Sequence, residues 1–176
     1  MKILIAPDKF KGSISAHQVA QILADEINSI LPSAIVTQIP LADGGDGSLE
    51  VICNYGYQIQ NVYAPNAVGE ITKCNYGISS DGQDAFIELA QVCGIASLSS
   101  EQRNPWFTST KGLGVVVRDA IERGVTSLSL SIGGSASIDG GAGLIEGLGA
   151  RLIDKEDKEI SGNLANLDKV VSIDYG

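Results

Sequence analysis

The feature that most constrains the fold is the alternation of short apolar runs with helical periodicity over residues 1–55. KILIA at the start predicts a strand, and AIVTQIP at 34–40 predicts a second one. Between them, a predicted helix carries apolar side chains on one face, at Val19, Ile22, Leu23, Ile27 and Ile30. Ser15, followed three residues later by Gln18, forms a capping box at its start. A short helix around SLEVICNY completes a β-α-β-α order, which is typical of a parallel sheet.

The pattern changes in the middle of the chain. Residues 57–90 contain short alternating runs broken by Pro65, Gly69 and Asp81-Gly82, which predict a hairpin meander. Further predictions are a helix over 111–124, a strand over 126–132, a helix over 141–149, and a charged turn with short flanking strands over 154–167. We therefore predict an α/β fold in which residues 1–54 and 108–176 form a parallel sheet domain. Residues 55–107 form an inserted, smaller β-rich subdomain with mixed or antiparallel strands.

Composition excludes several classes of protein. A net charge of −9 and the lack of any basic run argue against a nucleic-acid surface. An anionic small molecule is still compatible with this charge where the site supplies local positive potential. The three cysteines lack CxxC spacing, so neither a disulfide framework nor a zinc site is indicated. MKILIA is too brief for a signal peptide and no apolar stretch reaches membrane-spanning length, so we expect a cytoplasmic protein without a membrane partner.

Two loops that follow predicted strands have unusual chemistry. Ligands of an open parallel sheet bind beyond the carboxyl ends of its strands, where such loops lie. The first loop, PDKFKGS at 7–13, offers two ammonium groups and free backbone N–H groups to an anion. The second, ADGGDGS at 42–48, offers two carboxylates among glycines, which suits a divalent cation that is also bound by substrate oxygens. The alternatives are a solvated loop with an ordinary helix cap and a tight acidic turn.

The third loop, SIGGSASIDGG at 131–141, is too long for a hairpin turn. Its glycines allow backbone N–H groups to approach phosphate oxygens, and the predicted helix after it adds a positive N-terminal end. It matches neither GxxxxGK[ST] nor GxGxxG, so neither standard nucleotide motif applies. The alternative is a flexible loop without a ligand. A nicotinamide-dependent oxidoreductase would depend only on GLG at 112–114, which lacks the third glycine and the preceding strand.

Four motifs together resemble those of the class I glycerate kinases: DKFKGS at 8–13, ADGGDG at 42–47, RNP at 103–105 with TST at 108–110, and GGSASIDGG at 133–141. The resemblance implies ATP-dependent phosphorylation of D-glycerate with Mg²⁺, with 2-phosphoglycerate as the favoured product. It also implies that the parallel sheet domain is flavodoxin-like. Members of that family are longer, so the chain resembles an N-terminal half and the C-terminal half is an expected partner, with a homo-oligomer as a further possibility. The alternative is a non-catalytic homologue that binds an anion or a nucleotide.

Site roles follow from these motifs. The predicted catalytic residues are Lys11, Asp43 and Asp139, and the predicted metal ligands are Asp43 and Asp46. The predicted substrate-binding residues are Asp8, Lys9, Ser13, Arg103, Ser109 and Thr110. The predicted phosphate-binding residues are Gly133, Gly134, Ser135, Ala136 and Gly140. Capping of a helix is the alternative role for Asp139, Ser109 and Thr110. We expect His17 to be structural or solvated, and Trp106 and Phe107 to pack.

The chain departs from the family's usual pattern at several motif positions. Ser137 and Ile138 replace a threonine and an asparagine, and the isoleucine removes any hydrogen bond that the asparagine made. Lys9 stands where serine is common, and Asp46 where glutamate is common. Residues 111–114, KGLG, replace a tyrosine-glycine-threonine-glycine run.

Overall fold

A computed structural model describes residues 1–176 of the protein. The strands are β1 (Lys2–Ile5), β2 (Ile35–Gln38), β3 (Gln58–Pro65), β4 (Ile71–Ile78), β5 (Asp84–Glu88), β6 (Ser127–Ser131), β7 (Arg151–Ile153), β8 (Glu159–Ile160) and β9 (Ser172–Asp174). The helices are α1 (Ala16–Ile30), α2 (Ser48–Cys53), α3 (Ala90–Cys93), α4 (Lys111–Glu122), α5 (Ala142–Leu148) and α6 (Leu164–Leu167). Two short 3-10 turns cover Ile95–Ser97 and Ser100–Gln102. No helix is both long and apolar enough to cross a membrane.

The first β-α-β unit forms as predicted. β1 and β2 pair in parallel, with Lys2 opposite Ile35 and Ile5 opposite Gln38. The capping box at the start of α1 is present, since the Ser15 side chain accepts from the Gln18 N–H and the Gln18 side chain accepts from the Ser15 N–H. Helix α1 packs on one face of the two strands around a small cluster of Ile5, Ala20 and Ala24.

The main core lies under a four-stranded sheet with the order β3-β4-β5-β6. The β3-β4-β5 part is antiparallel, which confirms the predicted meander, and β5 pairs in parallel with β6. Fifteen buried residues form one cluster between this sheet and helices α3 and α4. Tyr76, Ile87 and Val116 in it are fully buried.

The strand partners differ from those we predicted. The predicted parallel sheet was to hold β1, β2 and β6, with the meander apart, whereas β6 pairs with β5 of the meander. Ile87 and Glu88, neighbours in β5 whose side chains lie on opposite faces, are both fully buried, which suits an interior strand. Periodicity indicates a strand but does not name its partner. The α/β class is confirmed. The division into one unit of residues 1–54 with 108–176 and another of residues 55–107 stays a prediction. The β5-β6 pair joins strands that this division assigns to different units.

The C-terminal residues form a small antiparallel sheet with the order β8-β7-β9. The predicted charged turn lies between β7 and β8, where the Asp154 side chain accepts from the N–H groups of Glu156 and Lys158. Strand β9 and helix α6 were not predicted. This sheet follows α5, which packs closely against α4.

Candidate functional site

Three loops meet at the carboxyl ends of β1, β2 and β6. The parallel pairing of β1 with β2 places the first loop (7–13) beside the second (42–48), and Leu41 N–H donates to the Pro7 carbonyl oxygen at 2.8 Å. The third loop (131–141) joins the second through the Gly133 N–H, which donates to the Gly44 carbonyl oxygen at 2.9 Å. A Cβ atom on Gly133 would lie 2.7 Å from that same oxygen. Residue 133 must therefore be glycine for the two loops to approach this closely.

The loops enclose a polar cleft, defined by Lys9, Lys11, Asp43, Gly45, Asp46, Ile95, Gly133 and Gly134. Seven of these eight residues are charged residues or glycines. The structure thus brings together six predicted site residues that are far apart in sequence. Two ammonium groups, two carboxylates and exposed backbone give the cleft the means to hold an anion and a cation side by side.

Lys9 and Asp43 form an ion pair across the first two loops. The Lys9 Nζ lies 2.8 Å from Asp43 Oδ1 and 3.7 Å from Asp8 Oδ1, and its side chain is only 13% exposed. Asp43 Oδ1 also accepts from the Gly45 N–H at 2.9 Å. The hydrogen bond from Lys9, followed by that from Gly45, lowers the pKa of Asp43 from its ordinary 3.8 to about 2. The hydrogen bond to Asp43 raises the pKa of Lys9.

Lys9 therefore braces the two loops and orients the ionised carboxylate of Asp43. This contact occupies its ammonium within the protein, which differs from the substrate-binding role that we predicted. The second carboxylate oxygen of Asp43, Oδ2, makes no hydrogen bond within the chain. It therefore faces the cleft without a protein donor.

Lys11 and Asp46 are the charged residues of the cleft without partners. Neither side chain makes an ion pair or hydrogen bond within the chain, and both residues are exposed. The backbone N–H groups of Gly134 and Ser135 also donate to no acceptor within the chain. Gly134 adopts a φ of 70°, and a Cβ atom there would lie 3.1 Å from Asp46 Oδ1. Free N–H groups beside a free ammonium group suit phosphate oxygens.

The donor set fits Mg²⁺ only when substrate oxygens complete it. The structure contains no group of three or more histidine, cysteine, aspartate or glutamate residues that could hold a metal ion. Mg²⁺ is usually bound by one or two carboxylates together with waters and phosphate oxygens. Asp46 and the free oxygen of Asp43 meet that need in number and chemistry.

An adjoining cavity of about 280 Å³ shares Lys9 and Asp46 with the polar cleft. Its further lining includes Asp8 and Ser13 from the first loop and Glu50 from α2. Two more predicted substrate-binding residues therefore lie next to the cleft, on the other side of Lys9 and Asp46.

Asp139 does not lie in the cleft, and its predicted catalytic role is not supported. It is 1% exposed, and its Oδ2 accepts from the N–H and the hydroxyl of Thr110 at 2.7 and 2.9 Å and from the Gly143 N–H at 3.2 Å. Its Oδ1 accepts from the Gly141 N–H at 3.0 Å. Capping of a helix, the alternative that we left open, fits these contacts, and a catalytic role for Asp139 stays a prediction.

Three other predicted contacts, those of Thr110, Ser109 and Ala136, are also taken up inside the protein, whereas Arg103 is exposed and bonds only through Nε. Thr110 Oγ1 accepts from the Leu144 N–H, and Ser109 Oγ donates to the Gly162 carbonyl oxygen at 2.6 Å. The Ala136 N–H donates to the Cys93 carbonyl oxygen, which leaves it no hydrogen for phosphate. Arg103 Nε donates to the Leu98 carbonyl oxygen, and Arg103 lines neither cavity. Gly140 also lies outside the cleft, near Leu167.

Three further outcomes concern residues that we had not assigned to the site. Glu88 is fully buried at the end of β5 and accepts from the N–H groups of Gly47 at 3.1 Å and Leu49 at 2.7 Å. It therefore fixes the end of the second loop, and its only signal in the sequence is a carboxylate inside the apolar run FIELA. Trp106 and Phe107 are 57% and 66% exposed, so the expectation that they pack was wrong. His17 is exposed, in keeping with a solvated residue.

The fold and the cleft define an α/β protein whose loops can hold a phosphate group beside a divalent cation. A model of the glycerate kinase family matches residues 3–176, and the chain belongs to that family. It is 39% identical over 176 residues to glycerate 2-kinase of Escherichia coli K12, covering 99% of this chain and 46% of that protein. The same identity, length and coverage hold for glycerate kinase of Bacillus subtilis 168.

A solved structure agrees with these comparisons. The crystal structure of a protein assigned as glycerate kinase 2 of Salmonella typhimurium LT2 matches with a TM-score of 0.83 and 39% identity. The match covers 99% of this chain and 47% of that one. The chain thus spans about half the length of the curated relatives it matches.

Proposed function

We propose that the chain is the N-terminal half of a glycerate kinase, which transfers a phosphoryl group from ATP to D-glycerate with Mg²⁺ and gives phosphoglycerate, 2-phosphoglycerate being favoured. Family membership and the names of the relatives support this reaction. The observation that carries the proposal is the polar cleft, in which free cationic, anionic and backbone N–H groups from three loops meet. Free thiols at Cys53, Cys74 and Cys93 support a reducing, cytoplasmic location.

Phosphoryl transfer asks the protein mainly to position the reactants and to stabilise charge. Lys11 and the N–H groups of Gly134 and Ser135 bind phosphate oxygens of the nucleotide, which offsets the repulsion from a chain of net charge −9. Asp46 and Asp43 Oδ2 hold the metal ion. When bound there, Mg²⁺ would supply positive charge to offset the negative charge of the transferred phosphoryl group. Lys9 fixes the orientation of the Asp43 carboxylate.

The adjoining cavity is where we propose that D-glycerate binds. It shares Lys9 and Asp46 with the polar cleft, so an acceptor hydroxyl bound there lies next to the phosphate site. Asp8 and Ser13 can accept hydrogen bonds from the two hydroxyl groups of glycerate, and Ser13 can also donate one to its carboxylate. The C-terminal half is part of this proposal, as are the flavodoxin-like arrangement and the predicted division into two units.

The direct test is a coupled assay of ADP release by the longer protein, with D-glycerate, L-glycerate and glycerol as acceptors. We expect turnover with D-glycerate, 2-phosphoglycerate as the product by phosphorus NMR, and no turnover by residues 1–176 alone. Asp46→Asn should abolish turnover without lowering the melting temperature, since Asp46 has no partner to lose. Nucleotide binding without ADP release would instead establish the second candidate, a non-catalytic homologue that binds an anion or a nucleotide.

A further inference from the structure

Glu88, the last residue of β5, is a fully buried carboxylate without a cationic partner. No lysine, arginine or histidine forms an ion pair with it. Its Oε1 accepts from the Gly47 N–H at 3.1 Å and its Oε2 from the Leu49 N–H at 2.7 Å, and Gln91 Nε2 adds a longer contact of 3.4 Å to Oε1. Burial of a carboxylate is costly, and these donors offset the cost. The two oxygens of one side chain thus hold two separate N–H groups at the start of α2.

Asp46, the residue just before this anchor, makes no hydrogen bond of its own. Its side chain has no partner, and neither its backbone N–H nor its carbonyl oxygen bonds within the chain. Its position is therefore set by the residues on either side. The Gly45 carbonyl oxygen accepts from the Ser48 hydroxyl at 2.7 Å, and the Gly47 N–H donates to Glu88. Loss of the Glu88 contact frees one of the two sides that hold Asp46.

The end of β5 also holds the third loop. The Leu89 N–H donates to the Ser131 carbonyl oxygen at 2.9 Å, and the Ile95 N–H donates to the Gly134 carbonyl oxygen at 2.9 Å. The two loops come close here, since a Cβ atom on Gly134 would lie 3.1 Å from Asp46 Oδ1. The end of β5 and the residues after it therefore set the spacing between the Asp46 carboxylate and the free Gly134 N–H.

We propose that Glu88 is a positioning residue for phosphoryl transfer, which holds Gly47 and Leu49 and so fixes the Asp46 carboxylate before the metal ion and the nucleotide bind. The inference rests on the function proposed above and adds to it a residue that lines neither cavity. Substitution of a residue that orients a metal ligand typically weakens metal binding or activity by about 10- to 100-fold.

Metal binding by the longer protein tests this role. The probe is Mn²⁺, titrated in the presence of a non-hydrolysable ATP analogue and followed by EPR. Glu88→Gln keeps the shape of the side chain but turns an NH₂ group toward one of the two N–H donors, so the apparent Kd for Mn²⁺ should rise by about tenfold or more. The control, Tyr76→Phe, removes the hydrogen bond from Tyr76 to Asp119 in the main core, so it should lower the melting temperature and leave that Kd unchanged. An unchanged Kd for Glu88→Gln, or an equal rise for Tyr76→Phe, would overturn the proposal.

A double variant shows whether Glu88 acts through Asp46. Asp46→Asn alone should weaken Mn²⁺ binding, and the addition of Glu88→Gln should weaken it no further, because the ligand to be positioned is already lost. Additive losses would show that Glu88 acts elsewhere, which overturns this inference and leaves the proposed function standing. Normal Mn²⁺ binding and turnover by Asp46→Asn would refute the metal site of the proposed function, and this inference with it.

Hydrogen exchange of the unsubstituted protein gives a test that does not depend on a variant that folds. Without ligands, the amides of Gly47 and Leu49 should exchange at least about tenfold more slowly than the Gly134 amide, which has no acceptor within the chain. Mn²⁺ with the ATP analogue should slow the Gly134 amide and leave the other two unchanged, because Glu88 holds them beforehand. Protection of Gly47 and Leu49 that arises only after the ligands bind would refute the proposal.

Discussion

Asp139 gives the clearest test of whether the glycine-rich third loop works through chemistry or through structure. The carboxylate is 1% exposed and accepts four hydrogen bonds, from Thr110 N–H and hydroxyl, Gly141 N–H and Gly143 N–H. Asp139→Ala leaves two buried backbone donors, Thr110 and Gly143, and one partly buried donor, Gly141, without acceptors, since only the hydroxyl can turn to another partner. At about 1–3 kcal/mol for each unsatisfied donor, and with partial relief from water entering the vacated space, we expect a loss of about 3–5 kcal/mol.

Asp139→Asn is the milder change. An amide oxygen in the place of Oδ2 keeps three hydrogen bonds without the charge, while the NH₂ group meets the Gly141 N–H, which is also a donor. We expect a cost of about 1–3 kcal/mol. The assay is urea unfolding, in which the midpoint should fall for both variants, further for alanine, with an unchanged slope.

The control for both variants is Asp46→Asn, because Asp46 is an exposed aspartate with no partner in the chain. Its stability should stay within about 0.5 kcal/mol of the unsubstituted protein. If Asp139→Asn kept full stability and lost turnover, the carboxylate would be catalytic and our structural account of it would be refuted.

Three further predictions concern the polar cleft. Lys11→Ala should lower kcat/KM for ATP by about 100-fold in the longer protein, on the scale of one lost transition-state donor. The control, Lys73→Ala on β4, should leave kcat/KM unchanged. A normal rate with a lower melting temperature would show that Lys11 is structural. Gly134→Val should flatten the rise of melting temperature with nucleotide concentration, because a branched Cβ disfavours a φ of 70° and crowds Asp46. Parallel curves for the variant and the unsubstituted protein would show that this loop does not bind phosphate. Because Lys9 lowers the pKa of Asp43 to about 2, the pair stabilises the folded protein above about pH 4 and this stabilisation is lost as pH falls toward 2. The melting-temperature difference from Asp43→Asn should shrink over that range, and a pH-independent difference would contradict the ion pair.

Local signals in the sequence predicted most elements, because they depend on neighbours along the chain. The capping box of Ser15 and Gln18, the helix α1 itself and the meander over 57–90 are all set by local periodicity and turn residues. The predicted apolar face of α1 was wrong in part, since Ile22, Leu23 and Ile30 are exposed. The pairing of β5 with β6 could not be predicted in this way. This pairing depends on which strand has both of its faces buried. For β5, the burial of Ile87 on one face and Glu88 on the other is visible only in the folded protein.

The candidate site was predicted only in part, because local signals in the sequence do not reveal contacts between distant residues. The loops after strands β1 and β2 identified Lys11, Asp43 and Asp46, since the carboxyl ends of parallel strands meet at one edge of a sheet. Gly134 lies beside them although β6 belongs to another sheet. Whether a polar side chain faces the cleft or the interior depends on contacts that no spacing reveals. Lys9 turns to Asp43, and Thr110 turns to Asp139. The glycines of GLG at 112–114 likewise serve packing, since a Cβ on Gly112 would collide with the Pro65 carbonyl oxygen and one on Gly114 with the Leu144 carbonyl oxygen.

The third loop combines two physical tasks in one short stretch. Gly133 donates its N–H to the second loop while Gly134 leaves its N–H free, so this end requires backbone without side chains. From Ser137 onward the loop is anchored, because Ser137 Oγ donates to the Thr108 carbonyl oxygen and Asp139 bonds to both α4 and α5. An N–H group can select an anion only if its position is fixed before the ligand arrives, since mobility would add an entropic cost to binding. In the proposed phosphate site, the buried end of the loop supplies the rigidity that the open end needs, which gives a carboxylate with no access to the cleft a place in this loop.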